Sequence, residues 1–268
     1  MPGLFQGSWL RIERAHAQGK LLAQAWNDIP PEDLYAISAK VNSDGTGSFR
    51  MTRPKPVPAI FSLQLGEVLY QLRAALDGLI YQAAILDSGQ DPPPNEKDLE
   101  FPIFPTRRGY AKKAPAKIAP LADKRKDIIK SVQLYNAPKL KPEQIVFNGN
   151  RSLRILNDWA RKDRHRRLHI VGSWVSRANP QVFCPAGVKV SSLKLVHSGF
   201  LEDDNVIATF RLTGKWRGVE IKASANLATQ VAVNEPPPPV AGNDNLGNRL
   251  AGMMAAVSQV VQMFEDSF

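Results

Sequence analysis

Phe61-Ser-Leu-Gln-Leu65-Gly-Glu-Val-Leu-Tyr70-Gln-Leu-Arg73-Ala-Ala-Leu-Asp77-Gly-Leu-Ile-Tyr-Gln82 is the clearest periodic stretch of the chain. Leu65, Val68, Leu69, Leu72, Leu76, Leu79, Ile80, Ala83 and Leu86 recur at helical spacing and form one apolar stripe. The stripe predicts a helix over 60–87, stopped by the Gly89 to Asn95 loop with its three consecutive prolines. A helix with one apolar face needs partners to cover it.

Candidate partners lie on both sides. Residues 4–27 place Phe5, Ile12, Ala15, Gly19, Leu22 and Trp26 on one side and end at Pro30-Pro31. His16 falls near that face, where a hydrogen-bonded core histidine is the plain expectation. Residues 107–130 are helix-prone in short pieces, broken at Pro115 and Pro120. Residues 151–171 read as a further helix, with Asn148 or Asn150 as its cap. A last helix over 245–266, capped by Asn243-Asp244-Asn245, aligns Leu246, Leu250, Met253, Val257, Val260, Val261 and Phe264.

Elsewhere the period is two. Residues 35–53 alternate around Asn42-Ser-Asp-Gly45-Thr-Gly47, a hairpin with a glycine-bearing turn. Residues 182–233 carry several strands punctuated by Gly199, Gly214 and Gly218, which predicts an antiparallel meander. The fold class is therefore α+β: a helical bundle with an N-terminal β-hairpin and a C-terminal antiparallel β-meander, closed by a C-terminal helix. One domain over 1–268 is the expectation. A helical domain followed by a β domain with a tail helix is the alternative.

At 268 residues, 22% charged and 43% hydrophobic, the composition is that of an ordinary globular chain. Cys184 is the single cysteine, so an internal disulfide is impossible. No apolar run approaches the length of a membrane span, and no basic-then-apolar leader precedes Leu10. A cytoplasmic address and no membrane partner are expected. No phosphate loop, dinucleotide fingerprint, nucleophile elbow or zinc-ligand spacing is present. No cofactor and no metal are expected.

The formal charge is +10, and it is concentrated. Residues 107–130 hold nine basic and two acidic residues, and residues 151–167 hold seven and two. The remainder is slightly acidic. Such segments attract phosphates, so RNA or another polyanion is the candidate partner. With Tyr110 and Trp159 as the only aromatics inside them, contacts to the nucleic-acid backbone are favoured over base stacking. Lys124, Arg125 and Lys126 are candidates for docking an acidic partner. The plain alternative is a solvated basic surface.

The densest chemistry is Trp159-Ala-Arg161-Lys-Asp163-Arg164-His165-Arg166-Arg167-Leu-His169. A histidine to move a proton, with cations around it, suits metal-independent RNA cleavage. His165 is the candidate acid–base group, with Arg161, Arg164, Arg166 and Asp163 around it. The alternative is an exposed basic helix whose charges on the apolar face are paired, Asp163 with Arg167. On helix 60–87, Tyr70, Arg73, Asp77 and Tyr81 share a flank. Tyr70, Arg73 and Asp77 are a candidate small-molecule or nucleotide site, which would make this a small-molecule-binding domain, or a flank facing His165 across a cleft, or a polar network that fixes packing.

The run Leu72-Arg73-Ala-Ala-Leu-Asp77, then Phe101-Pro-Ile103, then Asp163-Arg-His165-Arg166 resembles an uncharacterised bacterial family. That family reads Gly-Asp-x-x-His-Asn-Leu-Arg-Ser-Ala-Leu-Asp-His-Leu, then Phe-Pro-Ile, then Asp-Lys-His-Arg. Here Tyr70-Gln71 replace its His-Asn, and Gly78 replaces the histidine after the aspartate. If those imidazoles are catalytic, the resemblance implies an inactive copy. Arg164-x4-His169 also resembles the motif of HEPN bundles, which implies RNA cleavage and a homodimer.

Overall fold

The computed structural model describes residues 3–52, 57–137, 148–165, 170–196, 199–200, 205–218, 222–233 and 246–268. Its helices are α1 (Gln6–Asn27), α2 (Pro31–Leu34), α3 (Ile60–Ser88), α4 (Arg107–Lys117), α5 (Asp123–Ser131), α6 (Gly149–His165) and α7 (Leu246–Glu265). Its strands are β1 (Ala36–Val41), β2 (Thr46–Thr52), β3 (Ile170–Phe183), β4 (Val188–Leu195), β5 (Gly199–Phe200), β6 (Asn205–Gly214) and β7 (Lys222–Val233). The architecture is α+β, and the chain divides into two compact units.

The first unit is helical, with α3 through its middle. The expected stripe of α3 is buried from Leu65 to Ala84. Leu86 is the exception and stands 40% exposed. It lies in the last turn of the helix. Helix α7 buries every residue of its expected face, from Leu246 to Phe264. It packs on α3, α5 and α6, and Phe5 of α1 meets Phe264 edge to face. Trp9 of α1 donates its indole N–H to Glu265 at 2.9 Å. The first, sixth and last helices thus close one bundle. His16 is exposed rather than in the core, because the buried arc of α1 runs through Ile12 and Ala15.

Helix α6 begins where the sequence indicates: Asn148 accepts the N–H of Arg151 at 3.1 Å. Its end differs. The described helix runs to His165, and Ile170 and Val171 already belong to β3. The expected helix to 171 is corrected. Ile170, Val171, Trp174 and Val175 are β-branched or aromatic residues that suit a paired strand.

The second unit holds the sheets, antiparallel throughout. One has strand order β1-β2-β6-β4, the other β5-β3-β7. The N-terminal hairpin therefore joins the C-terminal strands. Its turn needs Gly45 at φ +83°, and the Asp44 carboxylate accepts from Thr46 N–H at 3.0 Å. Phe49, Met51, Ile207, Ala208, Phe210 and Leu212 make the core of this unit. Ile207 stands between Val206 and Ala208 where the β2–β6 ladder shifts by one residue. Most of the long β3 lies before the expected 182–233 strands. Pro180 is tolerated where β3, among the described residues, pairs with β7 alone.

Candidate functional site

Residues 101–104 run extended through the helical unit, with Phe101, Pro102 and Ile103 buried. No strand of the described residues pairs with them, so side chains must satisfy their backbone groups. Arg73 and Asp77 do this from α3. Arg73 donates to the carbonyl of Phe101 at 3.2 and 3.3 Å, and the Asp77 carboxylate accepts the N–H of Phe101 at 3.0 Å. The two side chains also pair with each other at 2.9 Å. Gln133 completes the cradle. It donates to Pro102 O at 2.8 Å and accepts from Phe104 N–H at 2.9 Å. Nothing in the sequence pointed to Gln133, since one buried amide leaves no periodic trace.

This geometry decides between the two readings of the flank. Arg73 and Asp77 close on a backbone and act as a packing network. Burial pushes the Asp77 carboxyl up, opposed by Arg73, while Arg164 of α6 is near enough to act on it. Tyr70 is 60% exposed and takes no part.

Asp163 has an equally specific place. A Cβ on Gly66 would lie 2.4 Å from its Oδ2, so the carboxylate sits directly on the glycine backbone of α3. Burial pushes this carboxyl up as well. Arg161 and Arg164 are exposed, and Arg164 Nε reaches Ala160 O at 3.4 Å. Asp158 pairs with Arg154 at 2.7 Å. The side chain of His165, and Arg166, Arg167, His169 and His197, lie outside the described residues, so the Asp163–Arg167 pair and the Arg164-x4-His169 motif do too.

The basic segments divide sharply. Arg125 of α5 is buried and fully engaged. Its Nε donates to Asp87 Oδ2 at 2.8 Å and its Nη2 to Asp87 Oδ1. Its Nη1 reaches Ser267 O at 3.1 Å, and the Phe268 ring lies 3.6 Å from its guanidinium carbon. As a residue offered to an acidic partner, Arg125 is corrected: its charge is spent inside the bundle. Lys124 reaches Ser267 O at 3.4 Å, and Lys126 lies 3.4 Å from Asp123.

Helix α4 is the opposite case. It carries Arg107, Arg108, Lys112, Lys113 and Lys117 and no acidic residue. Thr106 caps it, accepting from Gly109 N–H at 3.1 Å. Ala114 is buried beneath it, and Tyr110 packs edge-on against Phe104 and Tyr135. Burial pushes the Tyr110 hydroxyl up to about 12. Arg107 lies over the Tyr135 ring and Lys117 pairs with Glu100. Arg108, Lys112 and Lys113 are exposed.

One cleft opens on the far side of α3, about 300 Å³ in volume. Gly7 and Arg11 of α1 and Ala74, Gly78 and Gln82 of α3 line it. Arg11 donates to Gln71 at 3.2 Å beside it. Among the described residues, no group of three His, Cys, Asp or Glu side chains could hold a metal ion. No helix among them is long and apolar enough to cross a membrane. Compared with protein-family models, curated proteins and solved structures, the chain finds no match in any of the three.

Proposed function

We propose that this protein binds RNA, or a polyanion of similar charge density, through the outward face of α4. The observation that supports this most is a helix of five cations without one acid, anchored by Ala114 and Tyr110 so that Arg108, Lys112 and Lys113 face solvent. Arg161 and Arg164 at the end of α6 add to the same character. Point charges without exposed aromatics suit phosphate contacts over base reading. The cleavage reading rests on His165 among its neighbouring cations and on the resemblance of Arg164-x4-His169 to the HEPN motif.

A labelled RNA oligonucleotide titrated at two salt concentrations tests this. Binding should weaken steeply with salt. The triple variant Arg108→Glu, Lys112→Glu, Lys113→Glu should flatten the log–log salt slope by about 2, at roughly 0.7 per lost phosphate contact. Binding that the triple variant keeps unchanged would remove α4 from the interface. Cleavage by the parent that is lost in His165→Ala would move the assignment to a ribonuclease.

A further inference from the structure

The sheet β1-β2-β6-β4 buries Phe49, Met51, Ala208, Phe210 and Leu212 on one side. Residues directly opposite each other on neighbouring strands project on the same side, so the register fixes the membership of the other, outer face. Lys40 stands opposite Ser48, Ser48 opposite Thr209, and Thr209 opposite Lys194, one row across all four strands. The next row is Thr46, Arg211 and Ser192. Thr213 and Lys189 follow it, and Ser38 and Arg50 flank the first row on its other side.

These four strands hold five cations, Lys40, Arg50, Lys189, Lys194 and Arg211, and no Asp or Glu. All five fall on the outer face. Lys40, Lys189, Lys194 and Arg211 are exposed, and so are Ser38, Ser192, Thr209 and Thr213 among them. Asp44, in the β1–β2 turn, is near enough to act on Arg211, but its carboxylate already accepts from the hydroxyl and the N–H of Thr46. Glu202, Asp203 and Asp204 lie outside the described residues. Composition gives no sign of this face, since the chain outside 107–130 and 151–167 is slightly acidic. The strand register sorts that remainder and gathers cations alone on one side of the sheet.

We propose that this face binds the phosphate backbone of a double-stranded nucleic acid. It belongs to the second unit, and the proposal does not rest on the reading of α4. Three features select the partner.

The first is chemistry. Lysine, arginine, serine and threonine side chains all donate to phosphate oxygens, and here they alternate across one surface. The second is what the face lacks. It carries no aromatic side chain, and its apolar members are small or half-buried, Ala36 and Val206. A single strand is held by stacking its bases on aromatics, and a protein interface is built around an apolar or aromatic centre. A duplex covers its bases and presents phosphates. The third is width. From Lys40 to Lys194 the first row spans three strand spacings, about 14 Å. The grooves of B-form DNA are about 6 and 12 Å wide, so the ends of the row reach phosphates on both strands.

A labelled DNA duplex of about 20 base pairs, titrated with the full chain between roughly 50 and 200 mM salt, tests this. The sheet variant Lys40→Glu, Lys194→Glu, Arg211→Glu changes exposed side chains only and should keep the parent's thermal unfolding. It should flatten the log–log salt slope by about 2.7, at roughly 0.9 per lost phosphate contact. Lys40→Arg with Lys194→Arg keeps both charges and should keep the slope. The sheet changes should flatten the slope equally when added to the α4 triple variant. If the α4 changes alone leave the slope untouched while the sheet changes flatten it, the α4 reading falls and this proposal stands. A parent that does not bind the duplex, or a sheet variant that binds it with an unchanged slope, would overturn the proposal. On the α4 background, tighter binding of the matching single strand, or binding of phosphatidylserine vesicles but not of the duplex, would overturn it too.

Discussion

The two flanks of α3 differ in what their residues do, and the difference bears on the resemblance noted in the sequence. Gly66, Arg73, Asp77 and Asp87 look inward. They hold Asp163, the Phe101 backbone and Arg125, each from a different part of the chain. Tyr70, Gln71, Ala74 and Gly78 look toward α1 and solvent, and Ala74 and Gly78 line the cleft. Arg73, Asp77 and Asp163, three of the positions that resemble the family pattern, lie in the packing network, while the matching His165 side chain and Arg166 lie outside the described residues. Tyr70, Gln71 and Gly78 depart from it, and the departures lie on the open face.

The contrast can be broken most forcefully at Asp87. Its side chain is 5% exposed and holds Arg125, itself nearly as buried. Asp87→Ala leaves a buried guanidinium without its acid and should cost about 3–5 kcal/mol in denaturant unfolding. A loss below about 1 kcal/mol would mean that Ser267 and Phe268 suffice to hold Arg125.

The two glycines give the next contrast on one helix. Gly66→Ala drives a methyl group into the Asp163 carboxylate and should destabilise by about 1–3 kcal/mol. Gly78→Ala meets nothing within 4 Å and should stabilise by about 0.5–1 kcal/mol through helix propensity. Equal signs for the two changes would refute the assignment of the flanks.

The smallest effect is in pH. Burial raises the Asp77 carboxyl in the folded state, with Arg73 opposing. The folded chain therefore binds more protons than the unfolded one just above the ordinary aspartate range. This contribution is fully present below the unfolded value and is lost as pH rises through the folded one. Unfolding free energy followed across mildly acidic pH should fall with rising pH in the parent, and Asp77→Asn should lessen that slope. A slope that is unchanged in Asp77→Asn would assign it to Asp163, whose carboxyl is raised in the same direction.

Helix positions were legible wherever an apolar period ran uninterrupted, as in α3 and α7. They were illegible where one residue type serves two structures. Ile170 to Val175 continue an apolar pattern after a helix, yet they pair with β7. The candidate site was half legible. The charged pair Arg73–Asp77 follows from i,i+4 spacing, but its object, the Phe101 backbone, lies 24 positions beyond Asp77. Gln133 carried no signal at all.

The sequence by itself determined which segments are amphipathic, where the charge is concentrated and how the chain alternates between periods. These are local properties, set by neighbours a few residues apart. Only the tertiary structure decided which cations are free. Arg108 and Arg125 are the same residue within one basic segment, 107–130, yet one faces water and the other is enclosed by Asp87, Ser267 and Phe268. Enclosure depends on groups 38 and 142 positions away from Arg125, and no local pattern records them.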